Sequence, residues 1–163
     1  MDAIYIPHLL KAHERTETLT IDGFVPDLDS LTPARGQLWV RHCTTYLEVS
    51  ARVETIVTLT CHRCLAHYNQ RLALDTQELI WLREEELLTP LELEISPEDL
   101  AESLPAQGHF QPLAWLYEQF CLLLPLQQIC RDDCPGITPA RTVSEPLIDR
   151  RWAGLEALRQ QLE

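Results

Sequence analysis

An α+β fold is predicted by three features of this chain. Apolar residues recur at spacing two between Leu47 and Leu59, they recur at helical spacing from Leu113 to Leu124, and a short-spaced cysteine pair follows each pattern. The first feature gives an antiparallel, hairpin-rich N-terminal half and the second gives C-terminal helices. The cysteines give a four-thiolate zinc site that ties the two together. The chain is expected to form one domain over its 163 residues, with a β-rich part at 17–83, an acidic linker with a short helix at 84–110, and a helical part at 111–163. A chain of this length buries a core of its own, so a metal would be a staple and not the only source of stability.

The elements follow in order. Glu17-Thr18-Leu19-Thr20-Ile21 reads as a strand stopped by Asp22-Gly23, and Pro26 to Pro33 is rich in turn formers. Gln37 to Arg41 is a second strand. In the long third strand Leu47, Val49, Ala51, Val53, Val57 and Leu59 take one face, while Glu48, Ser50, Arg52, Glu54 and Thr58 take the other. Tyr68 to Thr76 alternates in a return strand, which puts Cys61-His62-Arg63-Cys64 at the tip of a long hairpin. Within the acidic stretch, Ser96 can cap a short helix, with Pro97 in its first turn and Glu98-Asp99 at its positive end. Leu113, Leu116, Tyr117, Phe120, Leu123 and Leu124 form one side of a helix stopped by Pro125. Gln127 to Gly136 is a loop, and Asp149 can cap a last helix with Trp152, Leu155, Leu158 and Leu162 on one side.

Cys61 and Cys64 form a C-x-x-C pair, and Cys130 and Cys134 follow in that loop. Two thiols on a tight turn can face one ion, and two such pairs complete a tetrahedral set that leaves no position for a substrate. Zinc is the metal that this set of ligands fits. Two other readings stay open at this point. One is thiol-redox chemistry at Cys61 and Cys64, although a redox C-x-x-C normally opens a helix and here strands lie on both sides. The other is four reduced thiols with no ligand. His62 and His67 flank the first pair and are candidate substitute ligands. Cys121 sits in the leucine-rich helix as a small core residue, and Cys43 lies in a turn. His8, His13, His42 and His109 have no partner at metal spacing and read as ordinary histidines.

Charge and composition exclude several classes. The net charge is −12, and residues 75–102 carry nine of those charges, with ten acids against Arg83. Such a segment repels polyanions and attracts basic partners, or simply keeps the chain solvated. No apolar run reaches the roughly 18 residues of a membrane span, and Met1 to Pro7 does not read as a signal peptide, so a cytoplasmic protein with reduced thiols is expected. With five scattered glycines there is no phosphate-binding loop. No nucleophile elbow or paired acid and base is present either, so neither an enzyme nor a small-molecule substrate is expected.

The run Cys61-x-x-Cys64-Leu65 after a β-rich half, then Leu124-Pro125-Leu126, then Cys130-x-x-x-Cys134-x-Gly136, resembles the YceD-like large ribosomal RNA accumulation protein family. Asp149-x-Arg151-Trp152-x-x-Leu155 is similar to the family's closing pattern, with Arg150 where proline is usual. The resemblance spans roughly residues 17–160, and its most specific part is the hairpin carrying Arg63 and Leu65. Gly136-Ile137-Thr138-Pro139 lacks the further cysteine that many members carry there, which leaves a single four-cysteine site. The resemblance implies a non-enzymatic factor needed for large-subunit (23S-type) ribosomal RNA to accumulate, with Cys61, Cys64, Cys130 and Cys134 as ligands of a structural zinc. Its partner would be a large-subunit precursor, met through ribosomal protein, through RNA, or both. Arg41, Arg52, Arg63 and Arg71, with Trp39 and Tyr68 nearby, are the candidate contact residues, because arginine beside aromatic surface suits RNA. The alternative from another class is a cytosolic thiol-redox or metal-handling protein using the C-x-x-C pair.

Overall fold

A computed structural model describes residues 2–84 and 101–137. Its centre is the strand predicted from alternation. Strand β4, Tyr46–Thr60, pairs with β3, Ala34–His42, on one side and with β5, His67–Arg83, on the other. Strand β2, Thr16–Gly23, pairs with the far side of β3. All three pairings are antiparallel. A short strand β6, Ser103–Pro105, joins β5 in parallel, so the sheet runs β2-β3-β4-β5-β6.

One face of this sheet is dry and the other is open, as a meander allows. Along β4, Leu47, Val49, Ala51, Val53, Thr55, Val57 and Leu59 are all buried, and the residues between them are not. The inner face of β3 supplies Leu38, Val40 and His42, and that of β5 supplies Leu72, Leu74 and Ile80. Helix α2, Pro112–Leu123, covers this face with Trp115, Leu116 and Phe120. A proline in its first turn, where no intrahelical donor is lost, starts it one residue earlier than the leucine pattern alone predicts.

Several elements carry too few residues to announce themselves. Strand β1, Ile4–Tyr5, pairs with β7, His109–Phe110, and a single helical turn α1, Ile6–Leu9, follows β1. Ile4, Ile6, Leu9 and Phe110 add to the same core. The Ile6 N–H donates to the Gly108 carbonyl at 3.1 Å, which fixes this N-terminal clasp beside the start of α2. Residues 103–105 and 109–110, which fall within the segment read as linker, are therefore strand. The return strand runs seven residues beyond the predicted Thr76, because Tyr46–Ser50 of β4 need partners and find them in Gln77–Trp81. The first strand likewise includes Asp22 and Gly23, which pair with Arg35 and Ala34. The expected short helix at Ser96 and the last helix from Asp149 lie outside the described residues.

The β4–β5 hairpin is paired over its full length, from Tyr46↔Trp81 to Thr60↔His67. Strand β3 accompanies it only as far as Glu54. Beyond that, residues 30–31 lend partial cover through a bridge from Ser30 to Val57 and a 2.7 Å hydrogen bond from the Leu31 N–H to the Ile56 carbonyl. The far end of the hairpin is thus a projecting two-stranded ribbon, a marginal structure by itself. The first cysteine pair sits at its tip.

Candidate metal centre

Cys61 continues the inward register of β4, two residues after Leu59, and its side chain is buried. The strand then reverses in one turn. The Leu65 N–H donates to the Cys61 carbonyl, and the Cys61 N–H to the Ala66 carbonyl, both at 2.9 Å. Leu65 takes a left-handed backbone conformation, φ 60°, to close this turn. Such a conformation costs a branched residue about 1 kcal/mol or more, and glycine little. The turn leaves Cys64 facing the same space as Cys61.

The second pair reaches this space from the other half of the chain. Helix α2 ends at Leu123, Pro125 prevents its continuation, and the following loop runs back along the knuckle. The His62 N–H donates to the Gln128 carbonyl at 2.7 Å, and the Gln128 N–H points at His62 Nδ1 at 3.4 Å. Arg63 Nη1 donates to the Asp132 carbonyl at 3.4 Å. The Cys134 N–H donates to the Arg131 carbonyl at 3.0 Å and turns the chain inward. Gly136, φ 74°, follows against the Arg63 backbone, where a left-handed residue without a side chain fits closely.

The four sulfurs converge. Cys61 Sγ lies 3.8 Å from Cys134 Sγ, Cys64 Sγ lies 3.8 Å from Cys130 Sγ, and all four are within 4.8 Å of one another. A tetrahedral ion with metal–sulfur bonds of about 2.3 Å places its sulfurs about 3.8 Å apart. A disulfide would need about 2.05 Å. The spacing therefore fits a four-thiolate ion and not a cystine, and all six cysteines are free thiols. Among the described residues this is the one such group of metal-ligand side chains. Cys61 and Cys134 are buried, while Cys64 and Cys130 are half-buried.

The electrostatics show why four thiols alone make an uneasy cluster. Burial pushes the Cys61 thiol up, but backbone hydrogen bonds at Cys130, Cys64 and Arg63, with a further bond from the Cys64 thiol, outweigh it and bring Cys61 down to about 6. The Arg63 N–H is one of these donors, at 3.4 Å from Cys61 Sγ. Cys130 is pushed up to about 12, first by burial, then by its bonds to the other three thiols and the charge of Cys134. One thiolate is welcome and further ones repel it. A divalent cation in the middle would remove that conflict.

Neither flanking histidine joins the sulfurs: His62 is held at Gln128, and His67 Nδ1 is 3.1 Å from Thr60 Oγ1. Cys121 is half-buried on α2 rather than a core residue, because its side of the helix borders a crevice with Asp27 and Tyr117. Cys43 is half-buried, 4.0 Å from a Glu48 carboxylate oxygen.

Of the four candidate contact arginines, Arg41, Arg52 and Arg71 share the open face of the sheet with Trp39. Arg63 is at the knuckle, away from that face. Tyr68 lies on the opposite face, packed against the core, because its register pairs it with buried Leu59. Each of these three meets a carboxylate on the neighbouring strand: Arg41 with Glu48 at 3.8 Å, Arg52 with Asp75 at 3.3 Å, and Arg71 with Glu54.

A model of the family described as "Large ribosomal RNA subunit accumulation protein YceD" matches residues 49–159. The matched span takes in all but the first three residues of the hairpin, the knuckle, α2 and all four clustered cysteines. No curated protein and no solved structure matches the chain.

Proposed function

The chain belongs to the YceD family of large ribosomal RNA subunit accumulation proteins, and from that membership we propose that it is a non-enzymatic cytoplasmic factor for 23S-type ribosomal RNA. It acts in assembly of the large subunit, or in processing or stability of its RNA, on a precursor particle. The observation that carries this reading is the family match over more than half of the chain.

Zinc held by Cys61, Cys64, Cys130 and Cys134 is part of the proposal, supported by the sulfur spacing and by the conflict among four thiols without a cation. Its role is mechanical. A closed four-thiolate site offers no place for substrate, and it pins the loop after α2 to the tip of a projecting hairpin. A redox couple would need two of these thiols, and four converge. The partner-contacting surface includes the open sheet face with Arg41, Arg52 and Arg71, and the knuckle with Arg63.

The test is depletion of the protein with rescue by wild type, by Cys64→Ser, and by Arg52→Ala combined with Arg63→Ala, reading large-subunit RNA and the abundance of each variant. Wild type should restore the RNA. Cys64→Ser should keep the sheet folded at lowered stability but fail to restore the RNA, because the loop after α2 is no longer pinned to the knuckle, and the arginine variant should persist but associate less with precursor particles. RNA that stays at its normal level during depletion would sink the reading.

A further inference from the structure

The sheet has two edges, and they are finished differently. At one, β5 is covered by β6 at Trp81–Arg83 and carries Arg71, Asp75 and Glu78 along the rest of its length. Short covering strands and charges are the usual guards against stray pairing. At the other edge stands β2, with β3 as its one strand neighbour among the described residues. Its register on β3 is unbroken for eight residues, with no bulge and no proline. Thr18-Leu19-Thr20-Ile21 in its middle carries no charge. No backbone hydrogen bond among the described residues reaches Glu17–Gly23 from outside the β2–β3 pair. The outward N–H and C=O groups of this edge are an open template for one more strand.

Parity and charge along β2 select the occupant. Leu19 and Ile21 pair with Leu38 and Gly36 of β3 and take the core side, where Ile21 is buried and Leu19 half-buried. Thr18, Thr20 and Asp22 take the open side. Consider a second copy laid antiparallel about a two-fold axis normal to the sheet. The two core sides stay together only when residues opposite each other are both odd or both even. With the axis at Thr20, Leu19 meets Ile21 of the second copy, Thr18 meets Asp22, Thr20 meets Thr20, and Glu17 meets Gly23. Apolar residues then face apolar ones on the core side, threonines face a threonine or a carboxylate on the open side, and no like charges are opposed. Moving the axis to Thr18 or Leu19 sets Glu17 against Leu19 or Ile21, and moving it to Ile21 leaves Leu19 against Gly23. The strand is complementary to itself in one register.

We propose that β2 pairs with β2 of a second copy, antiparallel about a two-fold axis at Thr20, joining two five-stranded sheets into one. This dimer goes beyond the reading above and does not depend on it.

The experiment is sedimentation equilibrium of the full chain over a range of concentrations, with a reductant present so that thiols cannot cross-link the copies. Wild type should pass from the mass of one chain to twice that mass as concentration rises. Thr20→Lys brings two cations face to face at the axis and should weaken association by about tenfold or more. Thr20→Asp should do the same, and an equal mixture of the two should recover a mixed dimer. Thr18→Lys should associate at least as well as wild type, because it meets Asp22 of the second copy. Melting curves check that each variant is folded, and the mixed dimer tests the axis even where one variant alone loses stability. A chain that stays monomeric at every concentration reached would overturn the proposal. Equal association of Thr20→Lys and Thr18→Lys would overturn it too, by putting the interface elsewhere. So would slow hydrogen exchange at every residue of 17–23 in the monomer, which would place another segment of this chain on the edge.

Discussion

Parity along one strand decides what individual residues can do here. Odd-numbered positions of β4 face the core, so Cys61 arrives buried, while Arg52 arrives in water beside Asp75. His42 is an instructive neighbour. It ends β3 on the inner face, is buried, and its Nδ1 accepts the Thr44 N–H at 3.1 Å, which only an unprotonated nitrogen can do. Burial chiefly, and the charge of Arg15 next, hold its pKa below the ordinary 6.5, against a smaller opposing backbone bond. Protons therefore prefer the unfolded chain. The stability contributed by neutral His42 is full above about pH 6.5 and is lost as the pH falls through the lowered folded value. Urea midpoints taken between pH 7.5 and 5 should fall on acidification, and His42→Gln should flatten that slope. Equal slopes in the two proteins would show that His42 is not the group responsible.

At the scale of elements, the tightest demand lies between β3 and β4. Gly36 adopts φ 154°, and a Cβ built there would sit 1.9 Å from the Arg52 carbonyl oxygen and 2.7 Å from Val53 Cα. These are backbone atoms that cannot swing aside. Gly36→Ala should therefore destabilise by more than about 2 kcal/mol in urea unfolding. Gly23, where an added Cβ meets nothing within 4 Å, is the control and should lose less than about 1 kcal/mol. A Gly36→Ala protein as stable as its Gly23→Ala counterpart would mean that the two strands do not approach as described. Helix α2 is held differently, by burial of Phe120 and by a polar anchor. Glu78 on β5 accepts both the Trp115 Nε1–H at 2.6 Å and the Gln119 Nε2–H at 2.9 Å. The alternation of β5 was legible, but an acid on its inner face was not, because the donors that satisfy it lie 37 and 41 residues away.

For the whole molecule, the core and the metal centre are separable. The sheet, the N-terminal clasp and α2 bury a continuous apolar cluster that includes no cysteine. The sulfur cluster holds the ribbon end and the loop around Gln128 to Cys134. Stripping the metal from the proposed zinc form should then leave the sheet folded and lower the melting temperature by on the order of 10 °C. Hydrogen exchange should rise at residues 61–66 and 128–134 while β3 and central β4 stay protected. Global unfolding on chelation would mean the core is not self-sufficient, and unchanged protection at 128–134 would mean the hydrogen bonds around His62 suffice without metal. The described residues contain no helix long and apolar enough to cross a membrane.

Local sequence pattern is enough to specify the strands of the meander, the hairpin tip, helix α2 and the identity of the four converging cysteines. Each of these is written in local periodicity or short spacing, which the chain cannot satisfy in another way without exposing apolar side chains. Which residues meet across long separations was set by the assembled fold. It placed Gln128 on His62, Glu78 under Trp115, a carboxylate beside each of Arg41, Arg52 and Arg71, and Tyr68 on the side opposite Trp39. It also turned Ile4–Leu9 and residues 103–110 into parts of the core and its borders. Segments of two to four residues carry no period of their own, and their conformation is set by the backbone donors and apolar surface that the finished sheet presents to them.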